Sequence, residues 1–158
     1  MWAIAISLDG KILASGSNDN TITIWNLETY EPLNLHQHRK WIAALAFSPD
    51  RKWLASASYD TTIRLWELAS GRYECQQILQ GHAKAVTAIA FHPTEPILAS
   101  SSKDGSIKQW DLNSFDCIAT WKSPRPYENM NITGVTGLNA AQKQSLKQLG
   151  AVEYKSTR

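Results

Sequence analysis

Short apolar runs alternate with turn-forming residues along most of the chain, which is the pattern of a protein built from β-strands. Two of these runs, residues 42–47 and 86–91, are almost continuously apolar, as expected for strands buried on both faces. Pro49-Asp50 and similar pairs follow them and favour tight turns. Later runs such as residues 73–79 are more polar. The pattern therefore predicts an all-β chain in which dry inner strands alternate with more polar outer strands.

One thirteen-residue motif occurs three times, at residues 13–25, 54–66 and 98–110. Each copy begins with Leu-Ala-Ser, has an aspartate at its seventh position and ends on a tryptophan. The three tryptophans are 41 and then 44 residues apart, a period typical of architectures assembled from repeated structural units. The turn signals within each period predict four short strands per repeat.

These motifs resemble the WD40 repeat, whose four-stranded sheets are the blades of a β-propeller. The third copy has the dipeptide Trp110-Asp111, whereas the others have Trp25-Asn26 and Trp66-Glu67. The resemblance implies an incomplete propeller of three four-stranded antiparallel blades at residues 1–37, 38–81 and 82–122. A C-terminal extension follows at residues 123–158. Within it, Asn139 as N-cap and Gly150 as stop signal predict a helix over about 140–149.

The resemblance also implies a buried set of hydrogen-bonded side chains in each blade: a histidine before the first strand, a serine, the turn aspartate and the tryptophan. In blade two the set maps onto His38, Ser56, Asp60 and Trp66, and in blade three onto His82, Ser100, Asp104 and Trp110. Blade one retains Ser15, Asp19 and Trp25 without a histidine, because Met1 already aligns with the first strand. We therefore expect blade one to be the weakest.

Serine, histidine and aspartate also form the catalytic triads of hydrolases. A triad is needed once, at an exposed position beside an oxyanion hole, whereas this set recurs in every full repeat together with a tryptophan. His36 and His38 could ligate a metal from one strand face, but zinc needs three or four ligands. The sequence has neither glycine-rich phosphate motif. It therefore predicts no catalytic residues, no cofactor and no metal.

Composition narrows the range of possible protein classes further. The chain has 158 residues, of which 43% are hydrophobic, and a formal net charge of +2, which argue against disorder and against nucleic acid as the partner. The longest apolar run, residues 41–47, is far shorter than the ~20 residues of a membrane span. The two cysteines and the lack of an export signal predict a cytoplasmic location, with Cys75 and Cys117 free and at least half-buried.

Members of the family most often bind partners at the entry to the first strand and just before the turn aspartate. In this sequence those positions give Asn18, Arg39, Trp41, Tyr59 and Lys103 as candidate partner-binding residues. Trp, Tyr and Arg are enriched in interface hot spots, although Trp41 could instead pack on the adjacent blade. Trp53 and Trp121 are expected to be packing residues. The predicted function is a non-enzymatic scaffold that binds other proteins.

Three blades are fewer than the 4 to 8 of known propellers. No strand is left over to join the two ends, so we expect other chains, including further copies of this one, or a longer parent chain to complete the ring. Residues 125–153 resemble the C-terminal end of large bacterial WD-repeat proteins that carry an NTPase signalling module. This second resemblance implies an alternative, a non-functional or split-gene C-terminal fragment of such a signalling NTPase.

Overall fold

A computed structural model describes residues 2–68, 71, 73–122, 124 and 127–154 of the protein. Met1, which the alignment places in the first strand, lies outside these residues. The described strands form three separate sheets, each made of four strands that are consecutive in the chain. The prediction of an all-β chain with three four-stranded antiparallel sheets and a short C-terminal helix is therefore confirmed.

We name the sheets blade one, blade two and blade three in chain order. Blade one contains β1 (Ala3–Ile6), β2 (Ile12–Gly16), β3 (Ile22–Asn26) and β4 (Pro32–Leu35). Blade two contains β5 (Ile42–Phe47), β6 (Trp53–Ser58), β7 (Ile63–Glu67) and β8 (Cys75–Leu79). Blade three contains β9 (Val86–Phe91), β10 (Ile97–Ser102), β11 (Ser106–Asp111) and β12 (Cys117–Lys122).

The motif aspartate closes the turn between the second and third strands of each blade. One carboxylate oxygen accepts the backbone N–H two residues ahead, at 3.0 Å in the first two blades and 2.8 Å in the third. The intervening residue is left-handed, with φ of 71° at Asn20, 75° at Thr61 and 81° at Gly105. A carboxylate that bonds to its own turn favours this geometry, which explains the fixed distance between the aspartate and the following strand.

Neighbouring blades pack face to face through two buried clusters. Ile22 and Ile24 of blade one share a cluster with Leu54 and Trp66 of blade two. The blades approach so closely that a Cβ on Gly16 would lie 2.5 Å from Ile42 Cγ2, so this position has no room for a side chain. The second cluster joins blades two and three in the same way. Blade two is consequently covered on both faces.

The outward faces of blades one and three are exposed. Ile4 and Ile6 of blade one are 64% and 59% exposed, and Ile107 of blade three is 50% exposed. The expectation that Trp121 packs is wrong, since it is 53% exposed. The expectation that both thiols are at least half-buried is wrong for Cys117, which is exposed, although both cysteines are free. Trp121 and Cys117 lie on β12, the outermost strand of the last blade.

The chain divides into two compact units, Met1–Trp121 and Lys122–Arg158. In the second unit, α1 (Ala140–Gln148) begins after Asn139, whose side chain accepts the Gln142 N–H at 2.8 Å while Gln142 Oε1 accepts the Asn139 N–H at 2.9 Å. These reciprocal bonds satisfy two of the unpaired donors at the helix start. Among the described residues, no helix is long and apolar enough to cross a bilayer.

Within the described residues of this unit, Asn131 and Val152 form a parallel β-bridge. Glu153 beside it pairs with Lys147 at 2.6 Å and with Lys143 at 2.9 Å. Hydrogen bonds from Lys147 and Lys143 lower the pKa of Glu153 to about 2. The helix is thereby tied to the segment that follows it.

Candidate protein-interaction surface

In blade two the four motif side chains form one hydrogen-bonded chain. Trp66 Nε1 donates to Ser56 Oγ at 2.9 Å, and this oxygen lies 2.7 Å from His38 Nε2. His38 Nδ1 is 2.8 Å from Asp60 Oδ2. Because a carboxylate can only accept, Nδ1 carries the imidazole proton, and Nε2 then accepts the Ser56 hydroxyl. A neutral imidazole therefore satisfies every member of the chain.

Blade three has the same arrangement. Trp110 Nε1 donates to Ser100 Oγ at 2.8 Å, and His82 lies 2.8 Å from that oxygen and 3.2 Å from Asp104 Oδ2. Ser106 Oγ donates to Asp104 Oδ1 at 2.5 Å, as Thr62 Oγ1 does to Asp60 Oδ1 at 2.6 Å in blade two. The two complete blades are therefore held by equivalent buried polar networks.

Blade one has a shorter version of the network. Trp25 Nε1 donates to Ser15 Oγ at 3.2 Å. Asp19 is exposed and accepts from the backbone and the hydroxyl of Thr21, at 3.0 and 2.6 Å. With no histidine between Ser15 and Asp19, these two short sets of bonds are separate.

Ser56, His38 and Asp60 have the order and distances of a hydrolase triad, yet their burial gives them another role. The side chains of His38 and Asp60 are 0% and 7% exposed, and Ser56 is fully buried. The Trp66 N–H already occupies one face of the Ser56 hydroxyl. A nucleophile must reach a substrate carbonyl and an oxyanion hole, whereas this hydroxyl is enclosed by its own blade. The set stabilises the blade.

The networks perturb the acidity of their members. Burial raises the pKa of Asp60, but donors from His38, Thr62 and the Arg39 N–H outweigh it and hold the pKa well below its ordinary value. Burial likewise raises the pKa of Asp104, but hydrogen bonds from Ser106 and the Ala83 N–H outweigh this effect and hold the pKa well below its ordinary value. Burial lowers the pKa of His82. The folded protein thus favours ionised aspartates and a neutral His82.

We expect the free energy of unfolding to fall as the pH is lowered from 7.5 to 4. Below its ordinary pKa of about 6.5, His82 takes up a proton in the unfolded chain before it does so in the folded protein, so acid favours unfolding. Asp60 and Asp104 add a second loss below about pH 5 for the same reason, since the unfolded carboxylates protonate first. Urea denaturation at a series of pH values measures both losses.

The variant His82→Gln separates the two losses because glutamine does not titrate. It should lose the decline between pH 7.5 and 5.5 and keep the decline at lower pH. A wild-type protein whose stability is constant or rises on acidification would contradict the network as described.

Two exposed aromatic side chains, Trp2 and Trp41, and the partly buried Tyr59 form a continuous cluster at one end of the blades. Trp2 stacks on Trp41, with ring centroids 6.2 Å apart and an interplanar angle of 12°. Trp41 lies 5.5 Å from Tyr59, and Lys103 Nζ sits 4.5 Å from the centroid of the Tyr59 ring. We call Trp2, Trp41 and Tyr59 the aromatic cluster. Together with Lys103 of blade three, the cluster combines side chains from all three blades, since Trp2 belongs to blade one and Trp41 and Tyr59 to blade two.

Backbone hydrogen bonds fix where these side chains stand. The Tyr59 N–H donates to the Trp41 carbonyl at 2.9 Å, which ties the turn after β6 to the entry of β5. The Lys103 N–H makes the equivalent bond to Ala85 in blade three, and the Trp2 N–H bonds to Gly16 in blade one, both at 2.9 Å. The cluster is therefore placed by the blade framework rather than by a free loop.

The aromatic cluster borders a groove of about 450 Å³ with a basic rim. Its lining includes Asn18, Asn20, Arg39, Lys40, Trp41 and Tyr59. Asp60 and Asp104 at this end are turned into the blade networks, where they accept hydrogen bonds from His38 and His82. Asp19 is exposed there and bonded to Thr21. Cationic groups therefore outnumber exposed carboxylates around the groove.

Four of the five candidate partner-binding residues, Asn18, Arg39, Trp41 and Tyr59, line this groove. Lys103 joins them through its contact with the Tyr59 ring. Trp41 stacks on Trp2 of the adjacent blade and is still 45% exposed, so it packs on that blade, and its role in partner binding stays a prediction. The candidates taken from the sequence did not include Trp2. The position could have been singled out because the equivalent positions of blades two and three hold the smaller residues Ala43 and Thr87.

A family model described as "WD domain, G-beta repeat" matches residues 1–26, 31–67 and 73–111, well over half of the chain. The first segment contains β1–β3, the second β4–β7 and the third β8–β11, so each later segment begins with the last strand of the preceding blade. No curated protein matches the chain significantly.

Proposed function

Because the chain belongs to the WD40 repeat family, whose members are typically non-enzymatic scaffolds that mediate protein–protein interaction, we propose that it is itself such a scaffold, without catalytic activity. The single observation that carries the proposal is the aromatic cluster, in which Trp41 is exposed between Trp2 and Tyr59. Exposed aromatic groups held rigidly together are typical of interaction hot spots.

The partner that this surface fits is an acidic protein segment with an apolar side chain. Arg39, Lys40 and Lys103 supply positive charge around the groove, and none of them forms an ion pair within the part of the chain that the structure describes. Complementary charge guides and orients association. The aromatic cluster gives the apolar side chain a surface on which to pack.

Nucleic acid is a poorer match for the same surface. Base stacking needs open aromatic faces, and here Trp2 and Trp41 stack on each other while Lys103 covers a face of Tyr59. We also propose a cytoplasmic location, since both cysteines are free and free thiols persist in reducing compartments. The exposed outer faces of blades one and three further support packing against other chains that complete the ring.

Fluorescence anisotropy with a labelled, Glu-rich peptide that carries one leucine tests the binding proposal. We expect Trp41→Ala and Lys103→Glu each to weaken binding about tenfold or more, because hot-spot truncations cost about 2 kcal/mol. Tyr30→Ala and Lys52→Glu are matched controls, since both residues are exposed at the opposite end of their blades. They should leave the affinity unchanged.

Results of two kinds would contradict the proposal. One is equal affinity of the wild-type protein and Trp41→Ala for the peptide. The other is binding that persists when glutamine replaces glutamate in the peptide, or that is stronger for oligothymidine, since either result would remove the role of charge complementarity with an acidic protein segment.

A further inference from the structure

The outward face of blade one carries the side chains that blades two and three bury against their preceding blade. Leu13 corresponds to Leu54 and Leu98, which are fully buried, and Trp25 corresponds to Trp66 and Trp110. Ile4, at 64% exposure, corresponds to Leu45, which is buried. The face is thus built like an interior surface, although no sheet covers it among the described residues.

The outward face of blade three carries the opposite half of the same interface. Ile107 corresponds to Ile63 and Ile22, and Ala99 to Ala55 and Ala14; these four residues of the earlier blades are buried against the following blade. Ser101 takes the place of Ala57 and Gly16, so the small side chains that permit close approach are retained. Ala88, Ala90 and Ile107 border a shallow depression on this face.

We propose that these two faces meet between two copies of the chain, with blade three of one copy packed on blade one of the other. The chain itself shows the template, since its blades one and two, and two and three, join through the equivalent positions. This inference rests on the packing against other chains proposed above. It adds that the other chain is a second copy and that blade three of one copy contacts blade one of the other.

A second copy fits better than any other occupant because one chain supplies both complementary faces. The contact is head-to-tail, so each copy offers one face of each kind, and the assembly ends only when the rotation closes. Two copies give six blades, within the 4 to 8 of known propellers, whereas three copies would exceed that range. The closed assembly buries all four open faces.

Light scattering coupled to size exclusion tests the assembly. We expect the wild-type mass to be twice 17.7 kDa. Ile4→Glu and Ile107→Glu should each give the single-copy mass and keep the fold, because both side chains are at least half exposed within one copy. Ile78→Glu is the matched control, since Ile78 lies partly exposed on the outer strand of blade two, and it should retain the two-copy mass.

Mixing the two single variants gives the sharpest result. One of the two contacts in a mixed pair joins the unaltered blade one of Ile107→Glu to the unaltered blade three of Ile4→Glu, so the two-copy mass should return in part. If the contact instead joined like faces, mixing the two variants would not restore the two-copy mass.

The proposal is overturned if the wild-type protein keeps the single-copy mass at every concentration, or if its mass rises without limit. It is also overturned if Ile4→Glu and Ile107→Glu leave a two-copy mass intact. Both variants should bind the acidic peptide normally, so a failure of this assembly is distinguishable from a failure of the aromatic cluster as a binding surface.

Discussion

Replacing Trp66 with alanine is expected to lower the free energy of unfolding by about 3–5 kcal/mol, the range for removing a large aromatic side chain from a core. Trp66 is 1% exposed and packs in the cluster that joins blades one and two. Its loss also leaves the Ser56 hydroxyl without the indole donor. Urea denaturation followed by circular dichroism measures the effect, and the variant should unfold at a much lower denaturant concentration.

Two further variants separate packing from hydrogen bonding. Trp66→Phe keeps most of the apolar contact and removes the N–H, so its loss should be smaller. Trp25→Ala changes the equivalent residue of blade one, which is only half-buried on the open face, and in a dilute sample it should cost clearly less than Trp66→Ala. Equal losses at the two tryptophans would show that the blade one face is as well covered as that of blade two.

Asp60→Ala is expected to destabilise the protein by about 3 kcal/mol. The Asp60 carboxylate accepts from His38 Nδ1, from the Arg39 and Thr62 backbone N–H groups and from the Thr62 hydroxyl. Alanine leaves these donors unpaired, and the His38 side chain is completely enclosed. An unsatisfied buried donor costs about 1–3 kcal/mol, and the exposed donors regain water. The same denaturation experiment gives the loss.

Asp19→Ala provides the matched control for this change. Asp19 occupies the same turn position in blade one, where it is exposed and bonds to Thr21. The control should lose less than about 1 kcal/mol, as is usual for an exposed side-chain hydrogen bond. If Asp19→Ala proved as damaging as Asp60→Ala, the histidine link would not be what makes the Asp60 network strong.

The fold could be predicted from the sequence because the thirteen-residue motif fixes position within a sheet. Asp60 must close a turn before β7, and Trp66 must lie near the end of that strand in the buried cluster, so the spacing between them leaves little freedom. Asn139 and Gln142 predicted the helix start through an equally local rule. Interactions between residues this close in the chain can be predicted from a single sequence.

Features that depend on neighbouring blades were harder to predict. Trp2 joins the aromatic cluster because blades one and two pack side by side and bring its ring onto Trp41. Trp121 was expected to pack by its residue type, yet no further blade covers β12 in the described part of the chain, and it is exposed. The motif says which face of a blade a residue takes, but not whether another sheet lies against that face.

Amide hydrogen exchange, resolved blade by blade with mass spectrometry, tests most directly the claim that the three described blades form an open arc in which only the middle one has another described blade on both faces. In a dilute sample, strands β5–β8 should exchange slowest, because local opening is easiest where packing is missing. Strands β1 and β2, and β9–β11, should exchange faster and slow down as the concentration rises. Equal protection of all three blades, unchanged by concentration, would contradict the open arc.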